Sequence, residues 1–289
     1  MTLIAAPAPR ETRRVGGYRE YAPPAELARL VDALWVYSIP DLPAGVWQPP
    51  WHRVLPELGV SLSFRCWRDE ATGRVLDGEL AFQGPIRAAQ PFAPSRAYYL
   101  ESIRVAPEWS AALFGADPAA HADGVDAYRL VSRRRAARLH DRLARTTTSA
   151  QALQALLDEV RELRDDARPS RAVLVAHRAA ELIRARQGAL SLPDIARAVG
   201  VSERQLRRIV RETTGIGAKQ LQRVHRLNRA VCIADWCGEQ RRPPWARIAA
   251  QAGYYDQSHL IREVLALSGR TPAELHAERQ AENSAPSTA

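Results

Sequence analysis

Short runs of apolar residues dominate the first part of the chain. In the stretch GVSLSFRCW (59–67), the even-numbered positions 60–66 are apolar and the odd-numbered ones are Ser or Arg. Alternation with a period of two is typical of a strand with one buried face. Residues 34–39 form a short apolar run, and two further runs, rich in aromatic and branched residues, are predicted as strands: 79–84 and 97–105. Residues 107–115 are predicted as a short helix that begins near Pro107 and ends before Gly115.

These patterns predict a multidomain α+β chain. Residues 18–128 are interpreted as a sensor or dimerisation domain with a mixed antiparallel sheet or partial barrel. Beyond them the apolar period becomes helical. Two charged helices are predicted over 129–168, the second with Ser149 at its N-cap, as a linker, a dimerisation surface or a brace. Residues 1–17 and 281–289 are expected to be flexible tails.

Residues 169–280 are predicted as an all-α domain of helices separated by short turns. Three helix starts have the pattern of a capping box, in which two side chains bond the free N–H groups of the first turn: Ser191–Asp194, Ser202–Gln205 and Thr271–Glu274. Apolar residues at helical spacing predict one long helix over 218–237. Pro243 and Pro244 then restart the chain.

Two segments of this region repeat the same skeleton. In each, an Ile is followed five residues later by a Gly, and then by Leu, Arg, Val and Gly. The first set is Ile195, Gly200, Leu206, Arg208, Val210 and Gly215; the second is Ile248, Gly253, Leu260, Arg262, Val264 and Gly269. A helix, a tight Gly turn and a second helix form a helix-turn-helix, whose second helix can enter the major groove of DNA. The two units are predicted over about 192–215 and 245–269.

The second helix of each unit divides into an apolar and a polar face. In the first unit, Leu206, Ile209 and Val210 are predicted to face the core. The side chains predicted to face outward are Arg204, Arg207, Arg208 and Arg211 in the first unit, and Ser258, His259 and Arg262 in the second. Arg can bind guanine or a phosphate through two donors, and a helix N-terminus also favours phosphate. A solvated helix face in an Arg-rich chain is the alternative for either helix alone.

The charge distribution favours binding of a polyanion. The chain has 41 basic and 32 acidic residues, a net charge of +9. Residues 169–289 contain 19 of the basic and 11 of the acidic residues, so that region carries +8. An excess of cations confined to a helical domain is typical of a DNA-binding module beside a neutral partner domain.

The sequence gives little support to other classes of protein. No run of 18 apolar residues predicts a membrane span, and the N-terminus is not expected to be a signal peptide, so we expect a cytoplasmic protein. The three cysteines, Cys66, Cys232 and Cys237, have no metal-ligand spacing, and we expect no cofactor and no metal. A DNA-alkylation repair protein needs a nucleophilic Cys in a shaped loop, so an enzyme is not expected. An accessory DNA-binding protein without an effector is the other alternative.

The stretches DIARAVGVSERQLRRIVRETTGIG and IAAQAGYYDQSHLIREVLALSGRTPAEL resemble the tandem helix-turn-helix domain of AraC/XylS-family transcription regulators. The resemblance covers about residues 171–280 and implies a bacterial, sequence-specific regulator with one recognition helix in each of two successive major grooves. By position it implies this DNA-binding set: Ser202, Arg204, Gln205, Arg207, Arg208, Gln257, Ser258, His259 and Arg262. The chain departs from the family where Val210, Leu260 and Val264 replace Phe, and where Leu265 replaces a basic residue.

The N-terminal part resembles, more weakly, uncharacterised sensor domains of such regulators through the stretch 18–37. Aromatic residues cluster in its sequence, and a small-molecule pocket is one interpretation, with Trp35, Trp51 and His52 as weak candidates; core aromatics are the other. A metal site on His52 and His121 lacks ligand spacing. The expected partner is double-stranded DNA, at an operator or promoter. A small-molecule effector, RNA polymerase and a second copy of the chain are further candidates, and no membrane is expected.

Overall fold

The computed structural model describes residues 10–15, 17–39, 52–92, 98–123, 125–127, 132–186, 190–237 and 243–284. Its strands are β1 (Glu11–Val15), β2 (Tyr18–Tyr21), β3 (Val31–Ile39), β4 (His52–Val54), β5 (Val60–Arg68), β6 (Val75–Gln83), β7 (Gln90–Phe92), β8 (Tyr98–Val105) and β9 (Val125–Ala127). Its helices are α1 (Ser110–Phe114), α2 (Arg133–Ala144), α3 (Ser149–Asp166), α4 (Arg171–Ala185), α5 (Leu192–Ala198), α6 (Glu203–Thr214), α7 (Ala218–Trp236), α8 (Trp245–Gln251), α9 (Gln257–Ser268) and α10 (Pro272–Ser284). Short 3₁₀ helices lie at Ala25–Leu27 and Pro107–Trp109.

The N-terminal part is built on an antiparallel sheet. Its strands follow the order β1-β2-β3-β8-β5-β6-β9, and β4 pairs with β7 in a separate ribbon. The strand predicted over 59–67 is present as β5, with Leu62 and Phe64 fully buried in the main core. It is not half-buried as predicted, because Ser61 and Ser63 on its other face are also buried. That core lies between one face of the sheet and helices α1 to α3, with Leu139 and Leu156 among its most buried side chains. The predicted antiparallel α+β arrangement and the helical C-terminal region are confirmed.

Several local expectations differ from the structure. Residues 11–15, which the sequence assigns to the N-terminal tail, form β1 by pairing with β2. The C-terminal helix α10 likewise continues to Ser284, into the second predicted tail. Thr148, and not Ser149, is the N-cap of α3, because its side chain accepts a hydrogen bond from the backbone N–H of Gln151. Both residues are hydroxylated, so the sequence alone does not separate them.

A segment of the N-terminal part joins both helix-turn-helix units. We call residues 53–58 the bridging segment. Leu58 is 6% exposed and belongs to the apolar core of the first unit, together with Leu206 and Leu221. Leu55 packs against the core of the second unit. Only two residues therefore separate two side chains that enter two different cores.

Polar contacts hold the second unit to the same segment. Arg53 donates from Nη1 to the carbonyl oxygen of Ser268 at 3.1 Å and from Nε to Oε2 of Glu278 at 2.8 Å. The backbone N–H of Ala89 donates to the carbonyl oxygen of Leu267 at 2.9 Å. The end of α9 is thus bonded to the N-terminal part through one backbone–backbone bond and through the side chain of Arg53.

Candidate DNA-binding surface and the adjoining cavity

The first helix-turn-helix is formed by α5 and α6. Between them Gly200 has φ of +71°, a left-handed conformation that glycine adopts without steric cost. The side chains of Ser202 and Gln205 form the predicted capping box at the start of α6: Ser202 Oγ accepts from the Gln205 N–H at 3.2 Å, and Gln205 Oε1 accepts from the Ser202 N–H at 2.9 Å. These two predicted DNA-binding side chains therefore fix the beginning of the recognition helix.

The outer face of α6 is a row of cations. Arg204, Arg207, Arg208 and Arg211 are all exposed, while Leu206 and Val210 are buried on the opposite side. Ile209, predicted in the core, is only half-buried. The row is strongly basic and open to solvent.

Acidic neighbours on the same helix hold two of these cations. Arg207 contacts Glu203 at 2.5 Å, and Arg208 contacts Glu212 at 3.3 Å, each one turn away. Exposed pairs of this kind contribute only about 0.3–0.5 kcal/mol, so both guanidinium groups can turn toward another anion. Arg204 has no ion-pair partner within the described part of the chain.

The second helix-turn-helix repeats this construction with α8 and α9. Gly253 has φ of +81°, and Asp256 caps α9 by accepting from the His259 N–H at 2.6 Å. Gln257, Ser258 and Arg262 are exposed. Across the described residues, no acidic side chain pairs with the Arg262 guanidinium.

His259 is the predicted DNA-binding residue that is least available. It is half-buried, and its Nδ1 accepts a hydrogen bond from the Tyr255 N–H at 3.3 Å. Its ring stands edge-on to Tyr254 with centroids 5.4 Å apart. These contacts orient the ring beside the first turn of α9. Tyr255, which the sequence analysis did not select, is 92% exposed just before the helix.

The two units are joined by α7. This helix has 19 residues and so spans about 28 Å, as predicted for 218–237. Leu221 and Val224 belong to the core of the first unit and Leu227 and Val231 to that of the second. Because one continuous helix contributes side chains to both cores, α7 connects the two units directly.

A family model described as a helix-turn-helix domain matches residues 195–278, the same part of the chain. Residues 195–278 form an AraC-type helix-turn-helix domain. Such a domain is the DNA-binding part of a transcription regulator, and the chain is a DNA-binding transcription regulator. Regulators of this kind are generally not enzymes.

Comparison with solved structures gave several similar chains. The C-terminal domain of AraT, a response regulator from Geobacillus stearothermophilus, is 25% identical over 38% of this chain and 89% of its own, with a TM-score of 0.34. A regulator from Chromobacterium violaceum with an AraC-type DNA-binding domain is 25% identical over 39% of this chain and 95% of its own, with a TM-score of 0.32. ToxT from Vibrio cholerae O395 is 9% identical over 87% of this chain and 97% of its own, with a TM-score of 0.42. A comparison with curated proteins gave no match.

A cavity of about 450 Å³ lies between the N-terminal sheet and the AraC-type domain. Tyr18, Trp35, Tyr37 and Tyr98 line it on the sheet side, and α7 lines it on the other. Trp35 was predicted as a ligand candidate. It is 8% exposed, and its Nε1 has no hydrogen-bond partner in the described chain. Trp51 lies outside the described residues, and His52 is in β4 with a side chain that is not described.

Charged groups surround the apolar lining of this cavity. Arg104 pairs with Glu57 of the bridging segment and with Glu20 at 3.1 Å. Asp32 lies 3.4 Å from Arg184. The pairing of these groups could not be predicted from the sequence, because segments distant along the chain bring them together.

His225 of α7 also lines the cavity. Burial, with a contribution from the Arg184 guanidinium, lowers the pKa of His225 to about 4. The imidazole is therefore neutral near pH 7 and can donate or accept a hydrogen bond there.

The described residues contain no cluster of three or more His, Cys, Asp or Glu side chains arranged to hold a metal ion. Among their helices, none combines the length and apolar character required to cross a bilayer.

Proposed function

We propose that the chain binds specific DNA sequences by placing α6 and α9 in successive major grooves. The observation that supports this most strongly is a matched register. Both helices have 12 residues, both begin after a left-handed Gly turn, and both have an exposed Arg as their sixth residue, Arg208 and Arg262. An Arg at this place can donate to both O6 and N7 of guanine.

The proposed contacts differ in kind along each helix. The side chains proposed to meet base edges or phosphates are Arg204, Arg207 and Arg208 on α6, and Ser258, His259 and Arg262 on α9. Ser202 and Gln257 are proposed to lie near phosphates, with Gln205 holding the helix start. Phosphate contacts set the register on the duplex, and base contacts select the sequence.

The test is selection of bound duplexes from a random DNA pool, with the full-length protein at fixed salt. We expect a motif of two half-sites about 10–11 base pairs apart, because that is one turn of the double helix. The Arg262→Ala variant should lose base preference in one half-site of the motif, and Arg208→Ala should lose it in the other. A single contiguous motif, or enrichment lost at moderate salt with no motif, contradicts the proposal.

A small-molecule effector is a second proposed property, and the cavity between the two parts supports it. Its volume lies in the range of ligand pockets, about 300–1,000 Å³, and its lining combines four aromatic side chains with aliphatic, polar and charged ones. It touches both the bridging segment and α7, so an occupant would contact both elements that hold the two units.

This property is tested by screening small apolar acids, alcohols and amines for a rise in the thermal unfolding temperature. A true effector should also change the DNA dissociation constant of the full-length protein, and Trp35→Ala should abolish both effects. Leu76→Ala is the matched control, because Leu76 is 59% exposed on β6 and does not line the cavity. A compound that acts equally on both variants binds elsewhere.

A further inference from the structure

The outward faces of α6 and α9 can be compared position by position. In a 12-residue helix the second, sixth and ninth residues lie along one line, because they are four and three residues apart. In α6 this line is formed by Arg204, Arg208 and Arg211; in α9 it is formed by Ser258, Arg262 and Leu265. The sixth position is Arg in both, but the ninth changes from a cation to a leucine.

Leu265 is not needed by the core of its own unit. Leu260, Val264 and Leu267 fill that role and are at most 3% exposed, whereas Leu265 is 47% exposed. It lies on the same side of α9 as the exposed Arg262. A large apolar side chain held in water on a recognition face has apolar surface that a partner can cover.

Such side chains are concentrated in this unit. The large apolar side chains exposed within the described residues are Leu76, Leu174, Trp236, Tyr255 and Leu265. Two of them lie in the second unit: Leu265 on the outward line of α9 and Tyr255 just before the helix. Neither has a counterpart on α6, where Val201 and Arg211 stand at the matching places. The second unit therefore offers the DNA a less charged and more apolar surface than the first.

The major groove presents one apolar group, the C5-methyl of thymine. A leucine cannot bond a phosphate or a polar base edge, so the groove leaves this methyl as its favourable contact. We propose that Leu265 contacts the C5-methyl group of a thymine in the half-site bound by α9, next to the base pair that Arg262 contacts. This inference rests on the proposed sequence-specific binding and adds to it the base that the second half-site requires.

The experiment replaces each thymine of the second half-site, one at a time, with deoxyuridine, which lacks only the methyl group. Removing one buried methyl is expected to weaken binding of the full-length protein about fourfold at one position. The Leu265→Ala variant should bind the thymine duplex more weakly than the unchanged protein does, by a similar factor. It should bind the thymine and the deoxyuridine duplexes with equal affinity. The same replacement in the first half-site, opposite Arg211, should have no effect.

Leu76→Ala serves as a control, since it removes another exposed leucine, one that lies on β6. The inference is wrong if no thymine of the second half-site is sensitive, or if the sensitivity persists in Leu265→Ala. Unchanged DNA binding by Leu265→Ala would also overturn the inference. In these cases the selected DNA still contains two half-sites and the proposed function is unaffected. Absence of two half-sites overturns the proposed function itself.

Discussion

Arg208 and Arg262 provide the most direct test of the recognition helices. Truncation of either side chain to Ala should cost about 1–3 kcal/mol of specific binding, which is roughly a five- to 150-fold rise in the dissociation constant. The two losses should differ, because Arg208 must leave Glu212 to reach DNA and Arg262 has no such pair in the described chain. Both members of the Arg208 pair are more than half exposed, at 65% and 55%.

A pair of that exposure contributes about 0.3–0.5 kcal/mol, so Arg262→Ala should be the more damaging change by about twofold. The same reasoning predicts that Glu212→Gln tightens binding about twofold, since it frees Arg208 and removes a negative charge near the phosphates. Neither Arg supports the fold, so the free energy of unfolding should move by less than about 0.5 kcal/mol.

Fluorescence anisotropy on a selected duplex and on a scrambled one, at two salt concentrations, measures these effects. Arg145→Ala, an exposed change just after α2, is the control and should leave both constants unchanged. A loss of equal size on both duplexes would show that the side chain contacts phosphate only. No loss on either duplex would remove that helix from the DNA interface and refute the matched-register argument.

Three further predictions concern the scaffold. Leu58→Ala should lower the free energy of unfolding by about 2–5 kcal/mol in urea titrations, because Leu58 is 6% exposed, while Leu76→Ala at 59% exposure should cost less than about 0.5 kcal/mol. Gly200→Ala and Gly215→Ala each place an alanine in a left-handed backbone conformation, which should lower the free energy of unfolding by about 1–2 kcal/mol. Only in Gly215→Ala does the new Cβ meet a backbone nitrogen at 2.5 Å, so the melting temperature should fall further there. Since burial lowers the pKa of His225 from 6.5 to about 4, the folded state binds fewer protons than the unfolded state, and stability should fall as the pH drops from 6.5 toward 4; His225→Gln should flatten this slope in pH-dependent unfolding. Equal slopes in the two proteins would contradict it.

The helix-turn-helix units were predictable because their signals are local. A left-handed turn needs a glycine, and Gly200 and Gly253 supply it; a helix start needs a capping side chain, and Ser202 supplies it. These requirements are met within a few residues, so the spacing along the chain is enough to predict the fold of this part. The outward face of α6 followed from the same helical period.

Features that depend on distant contacts were not predictable in this way. Val31–Ile39 pairs with β8, some 65 residues farther along, and this pairing turns Trp35 and Tyr37 toward the cavity. The ion pair of Arg104 with Glu57 likewise joins separate strands. The helical spacing of apolar residues predicted that His259 lies on the recognition helix. Its contact with Tyr254 was not predictable, because it depends on how the turn before α9 packs.

The bridging segment shows why these missing features matter for function. In sequence, Leu55 and Leu58 are two apolar residues around a proline, with nothing to indicate that they enter different cores. In the structure they connect the first unit, the second unit and the cavity, and Glu57 between them pairs with Arg104 on the cavity wall. Any movement of Arg104 that breaks this pair acts on a segment only six residues long. Because both leucines are anchored in it, the relative placement of α6 and α9 and the state of the cavity depend on the same few contacts.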